Sequence, residues 1–149
     1  MTFIHPPGLP VERGKVHEFA NAILDDHPHY HDAEAAAASG LPGVVAPPTF
    51  AKATQLFPAA DAKIAPEVAA LDPRYSLHGG QEFVFERPVF AGDVLRSEPG
   101  EIRAYEKQGK RGGVMKFVEM ETIYRNLDGE VVVRSTTTAI QTAGVVEEG

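Results

Sequence analysis

Cysteine is absent from this 149-residue chain, which excludes disulfides, thiolate zinc sites and cysteine nucleophiles. No run approaches the roughly 20 consecutive apolar residues that a membrane-spanning helix requires. Positive charge is short: 14 lysines and arginines face 21 acidic residues, for a formal net charge of -7. That balance argues against a nucleic-acid surface, which needs a basic stripe to displace counterions from phosphate. The one basic cluster, Lys107, Lys110 and Arg111, falls in a glycine-rich turn and reads as a solvated hairpin loop. Serines are few, and none stands in a Gly-x-Ser-x-Gly turn, so a serine hydrolase is not indicated. Residues 1 to 7 show neither the basic nor the apolar region of an export signal, so the expectation is a cytoplasmic protein.

What is present is an ordinary globular composition, 43% hydrophobic and 23% charged. The length suits one domain over residues 1–149, with no internal repeat and no linker. Titratable groups gather between Leu24 and Phe50, where Asp25, Asp26, His27, Pro28, His29, Tyr30, His31 and Asp32 follow one another. Three of the 6 histidines fall within five positions there. Scattered surface charge has no reason to concentrate side chains that exchange protons near neutral pH, so this stretch is the candidate site.

The surrounding chain reads as helices first and strands last. Between Glu12 and Leu24, the residues Val16, Phe19, Ala20, Ile23 and Leu24 recur at helical spacing and predict one amphipathic helix that delivers Asp25 at its C-terminal end. The helix dipole there favours a carboxylate that keeps its proton. Asp32 stands as an N-cap before an alanine-rich helix over residues 33–39 that Gly40 closes. Pro47 and Pro48 fix the entry to a buried central helix over Thr49 to Phe57, with Phe50, Ala53, Leu56 and Phe57 on one face and Pro58 as its stop. Residues 58–75 read as an irregular connection, either a lid or part of a binding wall.

Four strands are predicted beyond: Gln81 to Glu86, Val94 to Tyr105, Val114 to Arg125 and Glu130 to Thr142, the last two joined across Asp128-Gly129. They are expected to form an antiparallel meander in an α+β domain whose curved sheet wraps the central helix. Gly113 to Thr142 is expected to supply an edge that needs covering, hence a dimer.

His27, His29 and His31 alternate, so an extended backbone would put them on one face, where with Asp25 or Asp32 they could hold zinc or nickel. Pro28 argues against a regular strand, and the reading adopted is no metal and no other cofactor. His78 lies at the mouth of the first predicted strand, suited equally to capping it or to touching a ligand. Asp93 reads as a turn residue.

The pattern Asp25-x-His27-Pro28-x-Tyr30-x-Asp32, then Gly43-x-x-Ala46-Pro47-Pro48-Thr49-Phe50, then Leu77-His78-Gly79-Gly80-Gln81-Glu82-Phe83 with Arg87-Pro88 and Ala91-Gly92-Asp93, resembles the MaoC-like hot-dog dehydratases, in particular their N-terminal, FAS1-like type. The resemblance implies a hot-dog fold, edge-to-edge dimers, and 3-hydroxyacyl or 2-enoyl thioesters of coenzyme A or acyl carrier protein as ligands. Active members carry Asp-x-Asn-x-x-His on this segment as base and acid, and bind the thioester oxygen with amides at the start of the central helix. Laid on that pattern, Asp25 matches the aspartate, His27 replaces the asparagine, and Tyr30 stands where the histidine belongs. Ala46-Pro47-Pro48 replaces Ala-His-Gly, which removes one amide donor and leaves those of Thr49 and Phe50.

These departures resemble the non-catalytic subunits of heteromeric dehydratases. The expectation is therefore a subunit of an (R)-3-hydroxyacyl-thioester dehydratase or enoyl hydratase, paired with a catalytic chain. Its site residues would be Asp25, His27, His29 and Tyr30, with Thr49, Phe50 and His78 toward the substrate. The alternatives are an independent hydratase in which Asp25 is the base and His27, His29 or His31 replaces the missing histidine, and an acyl-thioester binding module without chemistry.

Overall fold

The computed structural model describes residues 8–56, 64–109 and 113–142. Leu56 is placed as backbone only, and Phe57, Pro58, Lys110, Arg111 and the tail from Val145 lie outside the described residues. The elements in order are β1 (Leu9–Pro10), α1 (Arg13–Ala22), a 3-10 turn (Pro28–Tyr30), α2 (Ala33–Ala38), a 3-10 helix (Phe50–Leu56), α3 (Pro66–Ala69), β2 (Ser76–Phe85), β3 (Val94–Gln108), β4 (Val114–Arg125) and β5 (Val131–Gln141). This is an α+β chain in which, apart from the two-residue β1 that precedes α1, the helices come before the strands, as the periodicity indicates. Among the described residues no helix is long and apolar enough to cross a membrane.

The five strands form one sheet in the order β1-β3-β4-β5-β2. The antiparallel register shows in paired contacts: Arg103 and Glu119 across β3 and β4, the Glu86 N–H donating to Val132 O, and the Thr142 N–H donating to Tyr75 O beyond the ends of β5 and β2. Two expectations are corrected. The strands do not run as a simple meander, because β2 pairs with β5 and not with the strand that follows it. Residues 113–142 supply no free edge either, since β4 and β5 are both interior. Alternating apolar residues fix which face a strand buries, but they carry no information about which neighbour it chooses.

Contacts group the described residues into two compact units. One takes residues 8–56, 83–98 and 123–134; the other takes 64–82, 99–109, 113–122 and 135–142. The first holds a core of Leu9, Val11, Val16, Val44, Ala46, Phe50, Ala51, Val89, Leu95, Tyr124, Val132 and Val133. Phe50 and Ala51, from the segment read as the central helix, thus pack among residues of β3, β4 and β5. In the second unit Val118 and Ser135 are buried, and Gln81 knits β2 to β5 by accepting from the Thr137 hydroxyl at 2.9 Å and donating to Ser135 Oγ. Its surface carries a stacked pair, Tyr105 and Phe117, 5.1 Å apart and 3° from parallel.

Helix α1 ends two residues before the periodicity suggests. Val16 and Ala20 are buried, but Ile23 is 46% exposed and Leu24 93% exposed. Leu24 takes the left-handed conformation, φ 59°, with its N–H on Asn21 O and the Asp25 N–H on Ala20 O. These two bonds are the reversal that usually closes a helix on glycine. Asp32 caps α2 as its sequence position predicts, its Oδ1 accepting from the Glu34 N–H at 2.7 Å and the Ala35 N–H at 3.3 Å. At the β4–β5 turn Gly129 has φ 85°, the region where a side chain is disfavoured, and the Asn126 N–H donates to Glu130 O at 3.0 Å.

Candidate functional site

The turn at the end of α1 sets the position of Asp25. The residue is half-buried, and its Oδ1 accepts from the His27 N–H at 3.1 Å, closing a local Asx turn. Pro28 then starts the 3-10 turn that carries Tyr30, whose N–H donates to His27 O at 3.0 Å. The imidazole of His27 lies 4.5 Å from that of His29 and 5.5 Å from the Tyr30 ring, centroid to centroid. Asp25, His27, His29 and Tyr30 are thus gathered at one place.

The three histidines do not share a face. The alternation argument needs extended backbone, and the 3-10 turn removes it. His29 Nε2 lies 2.8 Å from Ser39 Oγ, while His31 turns back to α1, its Nδ1 2.7 Å from His17 Nδ1 and its Nε2 3.0 Å from the carbonyl oxygen of Asp25. The Ser39 hydroxyl donates to Ala35 O, so its oxygen accepts from His29 and that nitrogen holds its proton. Among the described residues no group of three or more His, Cys, Asp or Glu side chains is arranged to hold a metal ion.

Tyr30 faces an open, mainly apolar groove of about 360 Å³ lined also by Val45, Ala46, Pro48, Phe85, Glu86, Arg87, Pro88 and Val89. Burial, and then the nearby charge of Asp25, push the Tyr30 pKa above its ordinary value, so the phenol is a proton donor and not a base at neutral pH. The groove's walls are held by a bridge between Val45 and Phe90 and by the Val45 N–H donating to His29 O at 3.1 Å.

Arg87 was not legible as a site residue, whereas Asp93 is the turn residue the sequence suggests, its N–H donating to Phe90 O at 3.0 Å. The Arg87 guanidinium grips Asp93 with two bonds, Nη1 to Oδ2 at 2.8 Å and Nη2 to Oδ1 at 2.9 Å, and the Phe90 N–H also donates to Oδ2 at 2.9 Å. Burial raises the Asp93 pKa, but the Arg87 bonds, the Phe90 amide and the Arg87 charge outweigh it and hold the carboxyl below its usual range. The sequence signal was the place of these two residues in the Arg87-Pro88 and Ala91-Gly92-Asp93 motifs, an arginine and an aspartate six residues apart around a proline-containing turn.

Pro47 is buried while Pro48 and Thr49 are exposed. The Phe50 side chain lies in the core at 2% exposure, and its N–H donates to Pro47 O at 2.9 Å. His78 is an exposed residue of β2 and belongs to the second unit, whereas the other predicted site residues belong to the first.

Comparison with known proteins gives a consistent set of likenesses. The family model described as the FAS1-like, dehydratase domain region matches residues 1–135. A UPF0336 protein of Saccharopolyspora erythraea is 46% identical over 91 residues, which cover 61% of this chain and 58% of that protein. The chain thus matches less than two thirds of that relative's length. Among solved structures, a chain of the C-terminally truncated HadBC (3R-hydroxyacyl-ACP dehydratase) complex from Mycobacterium tuberculosis is 34% identical, with a TM-score of 0.61 and coverage of 91% of this chain and 90% of that one. A MaoC-like dehydratase is 30% identical with a TM-score of 0.69, covering 93% of this chain and 40% of its own.

Proposed function

The chain belongs to the FAS1-like dehydratase domain family and has the hot-dog fold of the MaoC-like dehydratases, and from that premise we propose that it is the acyl-binding subunit of an (R)-3-hydroxyacyl-thioester dehydratase or enoyl hydratase. In this reading it pairs with a chain of the same fold that carries the intact aspartate and histidine. The ligand is a 3-hydroxyacyl or 2-enoyl thioester of coenzyme A or acyl carrier protein.

The observation that carries this is Tyr30. Hydration of a 2-enoyl thioester bonds a water oxygen to Cβ as a base takes the water's proton, and an acid delivers a proton to Cα; dehydration is the reverse. A phenol whose pKa is raised above about 10 cannot take that proton near neutrality. The thioester oxygen also has fewer donors here. Pro47 and Pro48 have no N–H, and the Phe50 N–H is engaged by Pro47 O, so Thr49 is the remaining candidate at the entry to the Phe50–Leu56 helix. What the chain retains is an apolar groove beside Tyr30, suited to an acyl chain. The likeness to a chain of the HadBC complex supports a two-chain assembly.

The test is hydration of a short and a medium 2-enoyl-CoA by the purified chain alone, then with a hot-dog chain bearing the intact motif. The expected result is thioester binding without turnover alone, and turnover on pairing. Turnover by the lone wild-type chain, abolished by Asp25→Asn, would establish the independent enzyme instead. His27 would then be the first imidazole to examine, because His29 and His31 are engaged elsewhere. Binding without turnover under any pairing would leave an acyl-thioester binding module.

A further inference from the structure

We propose that His17 and His31 are positioning residues for Asp25: a neutral imidazole pair with opposite tautomers that clamps the main chain carrying this carboxylate. The inference rests on the reading of the Asp25 segment as an acyl-thioester site and assigns a task to two histidines that reading does not use.

The proton positions follow from the partners. A main-chain carbonyl can only accept, so His31 Nε2, 3.0 Å from Asp25 O, carries a hydrogen. In the neutral ring Nδ1 is then a lone pair, and it faces His17 Nδ1 at 2.7 Å. That hydrogen bond exists only if His17 is protonated at Nδ1. The lone pair of His17 then lies on Nε2, which meets the Asn21 amide nitrogen at 3.1 Å, a group that can only donate. Every polar atom finds its complement: Asn21 donates to His17, His17 to His31, and His31 to Asp25. The rings meet edge to face, 87° apart with centroids at 4.7 Å. A charged His31 would need a lone pair on His17 Nδ1, and the hydrogen then carried by His17 Nε2 would face the Asn21 amide nitrogen at 3.1 Å, as it would in a charged His17.

The chain of bonds ends where support is needed. Asp25 follows Leu24, which holds a left-handed φ of 59° with its side chain 93% exposed, so the Leu24 side chain anchors nothing. The Asp25 N–H is held by Ala20 O at 2.9 Å and its C=O by His31, which ties both main-chain groups of Asp25 to α1. Arg13 adds a third tie, from its Nη2 to His31 O at 3.4 Å. Displacement of the main chain at Asp25 therefore requires breaking the imidazole chain, while the carboxylate itself is held by the His27 N–H at 3.1 Å.

The first measurement is made on the purified chain labelled with nitrogen-15 at histidine. Long-range nitrogen–proton correlations at neutral pH should place His31 in the Nε2–H form and His17 in the Nδ1–H form, the minority tautomer of a free histidine side chain. His31→Phe should shift the Asp25 amide while leaving that of Val16 in place. In the paired enzyme, whose intact aspartate and histidine lie on the partner chain, His31→Phe should raise KM for the thioester at least tenfold with kcat within threefold. His31→Gln, whose amide can reach the same carbonyl, should restore KM to within threefold of wild type. Both histidines in the Nε2–H form, or an unmoved Asp25 amide and unchanged KM in His31→Phe, would overturn the proposal. Should no pairing give turnover, the proposed function falls, and the tautomers with the Asp25 amide shift still decide the clamp. If His31→Phe does not fold, the wild-type tautomers and His31→Gln decide it.

Discussion

Replacing Asp93 with asparagine tests whether the β2–β3 turn is held electrostatically. The carboxylate receives three hydrogen bonds, two from Arg87 at 2.8 and 2.9 Å and one from the Phe90 N–H at 2.9 Å. Side-chain exposure is 18% for Asp93 and 35% for Arg87. Asparagine keeps the shape and one acceptor for Phe90, but it turns an amide toward the guanidinium and removes the charge. A charged hydrogen bond contributes about 1.5–3 kcal/mol, and breaking a fully buried pair costs about 3–5 kcal/mol. Partial exposure of Arg87 reduces that, and we expect a loss of about 2 kcal/mol, or roughly 5–8 °C in Tm for a chain of this length. Urea unfolding at pH 7 measures it directly.

The pH dependence supplies an independent check. Because the folded pKa of Asp93 lies below its ordinary value, the stabilisation is complete above the unfolded value of about 3.9 and is lost as pH falls from there through the folded value. The gap in stability between wild type and Asp93→Asn should therefore be constant from pH 7 to about 5 and close below about pH 4. Taking the difference removes contributions from Asp72 and Glu119, whose pKa values are also lowered, by Arg74 in the first case and by Tyr105 and Arg103 in the second. A loss under about 0.5 kcal/mol, the scale of a surface substitution, or a gap that persists in acid, would refute the argument.

Tyr30 should ionise above the ordinary tyrosine value of about 10, and Asp25→Asn should lower it only part of the way, since burial is the larger cause; ultraviolet difference spectra against pH would show this. Leu24→Gly should stabilise the chain by about 0.5–1 kcal/mol in urea, because glycine adopts the left-handed conformation without the side-chain penalty and Leu24 is 93% exposed. Gly8→Ala should destabilise by about 1–3 kcal/mol, because an added Cβ would lie 2.6 Å from the main-chain oxygen of Leu95, which cannot give way without loosening the β1–β3 pair. Asp32→Ala should cost about 1 kcal/mol in the same assay through loss of the bonds to Glu34 and Ala35.

Much of the fold was legible where a local rule decides it. Asp32 caps α2 because a short acceptor before an alanine run has two orphan amides within reach. The Asp128-Gly129 turn follows from the need for a positive φ at Gly129. The strand runs were found because branched and aromatic residues alternate. What could not be read is non-local: β2 pairs with β5 across the sheet, and no pattern inside β2 names that neighbour. The early end of α1 had a different cause. Ile23 and Leu24 continue the apolar period of Val16 and Ala20, and only the Leu24 and Asp25 amides, bonded back to Asn21 and Ala20, reveal that the helix has already reversed.

The candidate site divides along the same line. Asp25 and Tyr30 could be singled out as candidates because they occupy motif positions a few residues apart, and the structure keeps them near one another, Asp25 bonded to His27 and the His27 ring 5.5 Å from that of Tyr30. The histidines were counted correctly but could not be assigned. Their spacing suggested one shared face, whereas each imidazole is directed by a partner elsewhere in the chain: Ser39 for His29, ten residues on, and His17 for His31, fourteen residues back. Ring nitrogens are directional and sensitive to the other end of each hydrogen bond, so their roles become defined only when α1, the 3-10 turn and α2 have come together. The same holds for Arg87, whose two bonds to Asp93 fix one wall of the groove through residues that the linear order presents as an unremarkable turn. A degenerate motif therefore does not imply an inert segment, because the groups that direct its imidazoles, Ser39 and His17, lie outside it, and the Arg87–Asp93 pair fixes the groove wall whatever residue stands at position 30.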